Sequence, residues 1–170
     1  RRAAGEGLTS PEFAVLVAYA KITLTDDLLD SAIADEPFYA HVLREYFPQP
    51  LTDRYDAILD THPLRRQIIT TVVVNDMVNR GGITFAFRAA EETGAGPVEV
   101  TRAYSVAREV FELPDFWRRV EELDNKVPTA AQCALFLESR RLLDRATRWV
   151  LTSRGGRVDV VAEIERFRSE

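Results

Sequence analysis

PLRRQIITTVVVNDMVNRGGITFAFR, residues 63–88, is the stretch whose reading decides the fold. Ile68, Ile69, Val72, Val73 and Met77 recur at helical spacing and share one broad apolar face. Val74 and Val78 add apolar surface on another side, so the helix needs neighbours around it. The spacing predicts a central helix at about 63–80. Its last turn becomes polar through Asn75, Asp76, Asn79 and Arg80, and Gly81-Gly82 close it.

Working toward the N-terminus, Thr61-His62-Pro63 separates this helix from a short one over 52–59 that carries Tyr55, Ile58 and Leu59. Pro48 and Pro50 break the pattern before it, since neither supplies a backbone N–H. Asp35 is placed to cap a helix whose Phe38, Val42, Leu43, Tyr46 and Phe47 form an aromatic face. Ser10 followed by Pro11 marks the first helix start, with Phe13, Leu16, Val17, Ala20 and Leu24 as its buried stripe. Thr25-Asp26-Asp27 reads as the restart of a further short helix through Leu28, Leu29 and Ile33. Residues 1–9 read as a linker or cut end.

Toward the C-terminus, a helix with Phe85, Phe87, Ala89 and Ala90 closes at Gly94-Ala95-Gly96. Pro97 opens another, with Val100, Tyr104, Val106, Ala107, Val110 and Phe111 inside, and Pro114 a third with Phe116, Trp117, Val120 and Leu123. The longest helix is expected at about 129–153, with Ala131, Leu135, Leu142, Leu143, Ala146, Trp149 and Val150 as its apolar members. Arg154-Gly155-Gly156-Arg157 makes a joint before a terminal amphipathic helix over 158–167. Almost nothing alternates with period two. The expected fold is all-α, an irregular bundle of short and medium helices around the central one. The helical domain spans 10–153, and 154–170 is set apart at the periphery.

The bulk composition narrows the function classes. With 46% hydrophobic and 29% charged residues, the chain reads as an ordinary globular protein able to bury a core. No apolar run approaches the roughly 20 residues of a membrane helix. A net charge of −5 argues against general nucleic-acid binding, which needs a positive field. Among 22 basic residues only Lys21 and Lys126 are lysine. So much arginine suits planar ion pairing on helix surfaces and interfaces. The single Cys133 excludes an internal disulfide and is expected to be a small buried hydrophobe. A cytoplasmic origin is the simplest reading. The Arg-Arg start, without methionine, suggests an excised fragment.

Candidate chemistry centres on Asn75, Asp76, Asn79, Arg80, Gly81 and Gly82. Asn75/Asn79 and Asp76/Arg80 are each four apart and lie on one helical edge. One reading is a small-anion site beside a glycine-opened helix start. The other makes Gly81 a left-handed C-cap, Asp76–Arg80 an intrahelical ion pair, and the asparagines satisfiers of a buried helix corner. The second is favoured, because buried polar clusters more often specify packing. It is no Walker loop, since no Lys-Ser/Thr follows the glycines. A second candidate is the ridge of Arg140, Arg141, Arg145 and Arg148. It is either an ion-paired surface with Glu138 and Asp144 or a docking surface for an acidic neighbour. His41 with Glu45 could be half a metal site, but no further ligand stands at the needed spacing. His62 reads as a turn residue, Lys126 as a surface lysine, and Trp117 and Trp149 as core. No catalytic, cofactor-binding or metal-binding residue is assigned.

Six segments occur together in one order: LTSPEFAVLVAYAKITL (8–24), REYFPQPL (44–51), VNDMVNRGGITF (74–85), AYSVAREVF (103–111), ELDNKVPTAAQ (122–132) and RRLLDRATRW (140–149). This set resembles the C-terminal helical region of the large bacterial NAD-specific glutamate dehydrogenases over residues 8–168. Ile83 stands where that family is expected to have proline. The resemblance implies NAD-linked oxidative deamination of L-glutamate by the whole enzyme, with the chemistry and the NAD site on a domain upstream of this chain. No G-x-G-x-x-G follows a strand here, and no catalytic residue carries over. The resemblance further implies that the chain itself holds no cofactor. Its partner would be the catalytic domain of the same polypeptide, in a homo-oligomer without nucleic acid or membrane. A noncatalytic supporting or regulatory domain is the leading reading. An anion-sensing module at Asn75–Gly82 and an oligomerisation module through the arginine ridge stay open.

Overall fold

The computed structural model describes residues 7–155 and 158–168. It is all-α, with no strand among the described residues. The chain divides into two compact units, Arg1–Thr84 and Phe85–Glu170.

The first unit contains α1 (Ser10–Leu29), 3₁₀ turns at Ile33–Asp35 and Pro37–Tyr39, α2 (Ala40–Tyr46), α3 (Gln49–Leu59) and α4 (Arg65–Gly81). Helix α4 is the expected central helix and packs against α1 and α2. Ile69, Val73, Val74, Met77 and Val78 are buried, and Ile68 and Val72 are half-buried at the edge of the apolar face. They meet Leu24 and Leu28 of α1 and Leu43 of α2 in a core with those three at most 1% exposed. Each such side chain contributes roughly 1.5–3 kcal/mol by leaving water. Thr70 is buried too, and its hydroxyl donates to the Arg66 carbonyl one turn back at 2.9 Å.

Several local expectations change. The cap of α1 is Thr9, not Ser10: the Glu12 carboxylate accepts from the Thr9 amide at 2.8 Å and the Thr9 hydroxyl at 2.7 Å. Helix α1 also runs unbroken through Thr25-Asp26-Asp27. Leu24 and Leu28 continue the buried stripe while both aspartates face solvent, so no restart is required. Helix α3 begins at Gln49, three residues early, because a proline in the first turn costs no hydrogen bond. Its Tyr55 and Ile58 are exposed, and Thr52 and Leu59 are its buried pair. Asp35 caps nothing and instead accepts from Arg65 at 2.8 Å and Arg66 at 2.5 Å. The left-handed glycine closing α4 is Gly82 (φ 98°), while Gly81 is still helical and buried.

The second unit contains α5 (Phe85–Thr93), α6 (Pro97–Val110), α7 (Leu113–Glu121), α8 (Thr129–Ser153) and α9 (Val160–Arg168). Here α6 is the core helix, packed against α5, α7, α8 and α9. Val100, Ala103, Tyr104, Val106 and Ala107 are at most 1% exposed. Alanine at 103 and 107 leaves room for the neighbouring helices to approach. Trp117 of α7 is buried as expected. Its indole N–H donates to Ser139 Oγ of α8 at 3.0 Å, and that hydroxyl donates to the Phe136 carbonyl at 2.9 Å. Helix α9 lies on α6 with Val160 and Ile164 buried.

Helix α8 has its expected bounds but a different inner face. Its buried residues are Ser139, Leu143, Thr147, Val150 and Leu151. Leu135, Leu142 and Trp149 are exposed, as is Cys133, which therefore is not a core thiol. No residue of the first ten of α8 is buried. Phe111 is likewise 45% exposed rather than inside.

Candidate functional site

The polar end of α4 places Asn75, Asp76 and Arg80 half-buried and Asn79 in solvent, with Gly81 buried against the unit. Asp76, Arg80 and Gly81 are each engaged by interactions of their own. Two apolar grooves among the described residues are lined by other side chains than these.

The arginine ridge does not act as one surface. Arg141 pairs with Glu138 at 2.5 Å, one turn back on the same helix. Arg148 pairs with Asp144 at 3.0 Å. Its guanidinium also pairs with Glu92 of α5, with Nε 2.6 Å from one carboxylate oxygen and Nη2 donating a hydrogen bond to the other at 3.2 Å. Arg88 approaches both Glu92 and Asp144 at 3.8 Å, completing a four-charge network between α5 and α8. Arg140 has an interaction of its own. Arg145 differs. It forms no ion pair or hydrogen bond with any described residue, and it lines an apolar groove of about 260 Å³ between α6, α8 and α9. Trp149 belongs to the same groove, 52% exposed and edge-on to Phe167 with ring centroids 5.5 Å apart. Sequence reasoning put Trp149 in the core because its spacing fits the inner stripe. In the structure Thr147, Val150 and Leu151 take that face.

The imidazoles are committed to local structure. His41 Nδ1 lies 2.5 Å from the Phe38 carbonyl, and His62 Nδ1 accepts from the Leu64 amide at 3.1 Å, as befits a turn residue. No group of three potential metal ligands occurs among the described residues. Lys126 is exposed, beside Asn125 in the left-handed region at φ 58°. No helix among the described residues is long and apolar enough to cross a membrane.

The most conspicuous surface is on α1. The expected stripe is only partly buried: Ala20, Leu24 and Leu28 face the core, whereas Phe13 and Leu16, higher on that side, are 49% and 45% exposed. At 100° per residue, Val15, Tyr19 and Ile22 fall on the opposite side. They are 52%, 66% and 55% exposed. Helix α1 is thus apolar around most of its circumference and covered on one side.

The described residues thus form an all-α protein whose helix α1 carries an incompletely covered apolar surface. Residues 5–170 match the family described as "Glutamate dehydrogenase, C-terminal", and the chain belongs to that family. It is 41% identical over 167 residues to the NAD-specific glutamate dehydrogenase of Mycobacterium tuberculosis, covering 98% of this chain and 10% of that protein. It is 40% identical over 167 residues to the protein of the same description from Pseudomonas aeruginosa, again 98% of this chain and 10% of the relative. For the Halomonas elongata NAD-specific glutamate dehydrogenase the identity is 41% over 151 residues, 89% of this chain and 9% of the relative. The chain therefore spans about a tenth of the length of these relatives.

Proposed function

We propose that this chain is the noncatalytic C-terminal helical part of a large NAD-dependent glutamate dehydrogenase and packs on the catalytic part through α1. The whole enzyme would convert L-glutamate, NAD and water to 2-oxoglutarate, ammonium and NADH. This part would support or regulate the opening and closing of the domain that does so, in the cytoplasm.

The observation that carries the reading is the outer face of α1. Val15, Tyr19 and Ile22 stand in solvent opposite the buried Ala20–Leu24–Leu28 stripe. A helix apolar all round is stable when surrounded. Covering these side chains would contribute roughly 1.5–3 kcal/mol each in the limit of full burial. The relatives, about ten times longer, supply the polypeptide that would cover them.

The test is Tyr19→Ser with Ile22→Ser, made both in the 170-residue chain and in the long enzyme. The isolated chain should melt within a degree or two of its parent, because neither side chain reaches its core. The long enzyme should lose stability or glutamate-dependent turnover. Unchanged stability and turnover in the long enzyme would remove α1 as the interface. NADH production from glutamate by the isolated chain would overturn the noncatalytic assignment.

A further inference from the structure

Helix α8 carries an uncovered seam that does not rest on the proposed α1 interface, and the order of its residues identifies what fits it. Leu135, Leu142 and Trp149 stand seven residues apart, and each is at least 38% exposed. At 3.6 residues per turn they fall within about 40° of one another, the seam of a helix packed on a second helix. The other heptad position, which an apolar seam would fill with hydrophobes, holds Glu138 and Arg145, both exposed. These two lie along one edge of the seam, within about 40° of Trp149. The core of the unit takes a different side of α8, through Ser139, Leu143, Thr147, Val150 and Leu151.

Along the helix the seam reads Leu135, Glu138, Leu142, Arg145, Trp149: apolar, acidic, apolar, basic, apolar. Half a turn about an axis through Leu142 reverses that order. At about 1.5 Å per residue, Leu135 and Trp149 stand about 10.5 Å to either side of Leu142, so each meets the other on a second, antiparallel copy. Glu138 and Arg145 stand about 6 and 4.5 Å from it, level to within about 1.5 Å with the opposite charge of the second copy. A two-fold axis normal to the plane of the paired helices keeps each edge on its own flank, so the charges meet on one side. A parallel pair would set glutamate against glutamate and arginine against arginine. The charges are also available. Arg145 forms no ion pair with any described residue, and Arg141 holds Glu138 through one carboxylate oxygen at 2.5 Å. Beside Trp149 an apolar groove of about 260 Å³ opens between α6, α8 and α9, with room for the second copy's Leu135. We propose that α8 is a self-association surface, pairing two copies of this chain antiparallel through Leu135, Glu138, Leu142, Arg145 and Trp149 about a two-fold axis at Leu142.

The same patch on both partners makes a closed pair. Five side chains are far fewer than the roughly 20–30 residues per side of a standard interface, so the isolated chain should pair weakly. Sedimentation of the 170-residue chain from micromolar concentrations to about 1 mM should show monomer passing to dimer and to nothing larger. Glu138→Arg or Arg145→Glu alone sets like charges face to face twice per dimer and should weaken pairing about tenfold. The double variant should return to within about threefold of the parent, because it only exchanges the two charges. Both positions are exposed, so thermal melting of all three variants should match the parent. In a Cys133→Ser background, Leu142→Cys should oxidise to a disulfide dimer and Leu135→Cys should not, since only a residue on the axis meets its own copy. A chain still monomeric at about 1 mM overturns the proposal, as do single reversals without effect or a loss that the double variant fails to restore. Equal cross-linking at both cysteine positions, or none at Leu142→Cys, overturns the antiparallel axis.

Discussion

Two tryptophans at equally apolar helical positions end in opposite environments. Trp117 is buried with its N–H held by Ser139, and Trp149 stands at a groove rim. Nothing local separates them; what differs is whether a neighbouring helix arrives on that side. The Thr9–Glu12 pair is the reverse case, a purely local device. Hydrogen bonds from the Thr9 hydroxyl, and then from its amide, hold the Glu12 carboxyl below the ordinary glutamate value. Because the folded value is depressed, the cap's contribution is present above the unfolded pKa. It is lost as pH falls through the folded one. An NMR titration should place the Glu12 midpoint below those of other exposed glutamates, and Thr9→Ala should move it upward. A midpoint already at the ordinary value would show that the cap does not form in solution.

At the scale of elements, the end of α1 and the start of α4 are joined by one arginine. Arg66 donates to the Leu29 carbonyl at 2.7 Å and to the Ser31 carbonyl, and pairs with Asp35 at 2.5 Å. The last carbonyls of a helix lack intrahelical donors, and a cation there also suits the helix dipole. Arg66→Ala should therefore cost about 1–3 kcal/mol by chemical denaturation, more than an exposed ion pair alone would explain. Leu24→Ala, which opens a void on the α1–α4 contact, should cost about 2–5 kcal/mol. If Arg66→Ala were neutral, the junction would be held by Leu24, Leu28 and their α4 partners without it. The spacing of apolar residues made both helices legible. This arginine contact, joining residues 35 and 37 apart, was not, because no periodicity encodes it.

At the scale of the molecule, each unit has a core helix of its own, α4 in one and α6 in the other. The pattern around 63–80 reveals the first at once. The second is masked by Thr101, Ala103, Ser105 and Ala107, small residues buried because helices crowd around α6. Its buried hydroxyls are satisfied within the helix, Thr101 by the Pro97 carbonyl at 2.8 Å and Ser105 by the Thr101 carbonyl at 3.0 Å. The polar appearance of that stretch is therefore compatible with full burial. The proposed α1 interface also has a signature at this scale. Hydroxyl-radical footprinting should oxidise Tyr19 in the isolated chain and find it protected in a long glutamate dehydrogenase carrying this domain. Equal oxidation in both would leave α1 uncovered in the enzyme.

The amino-acid sequence by itself determined the all-α class, the bounds of α8, the central place of α4 in its unit and, through ordered segments along nearly the whole chain, the family. Periodicity and punctuation by proline and glycine are local, so they survive in one dimension. Which apolar residues are covered was decided only in three dimensions. Phe13, Leu16, Phe111, Leu135 and Trp149 have the spacing of core residues, yet all are at least 38% exposed. Cys133 joins them in solvent. The arginine ridge likewise looks uniform along the helix. The pairs Arg141–Glu138 and Arg148–Asp144 are local to α8, but the link from Arg148 to Glu92 and the groove-lining position of Arg145 depend on where α5, α6 and α9 pack. Burial is a property of the neighbours that arrive, and helical spacing states only which residues share a side.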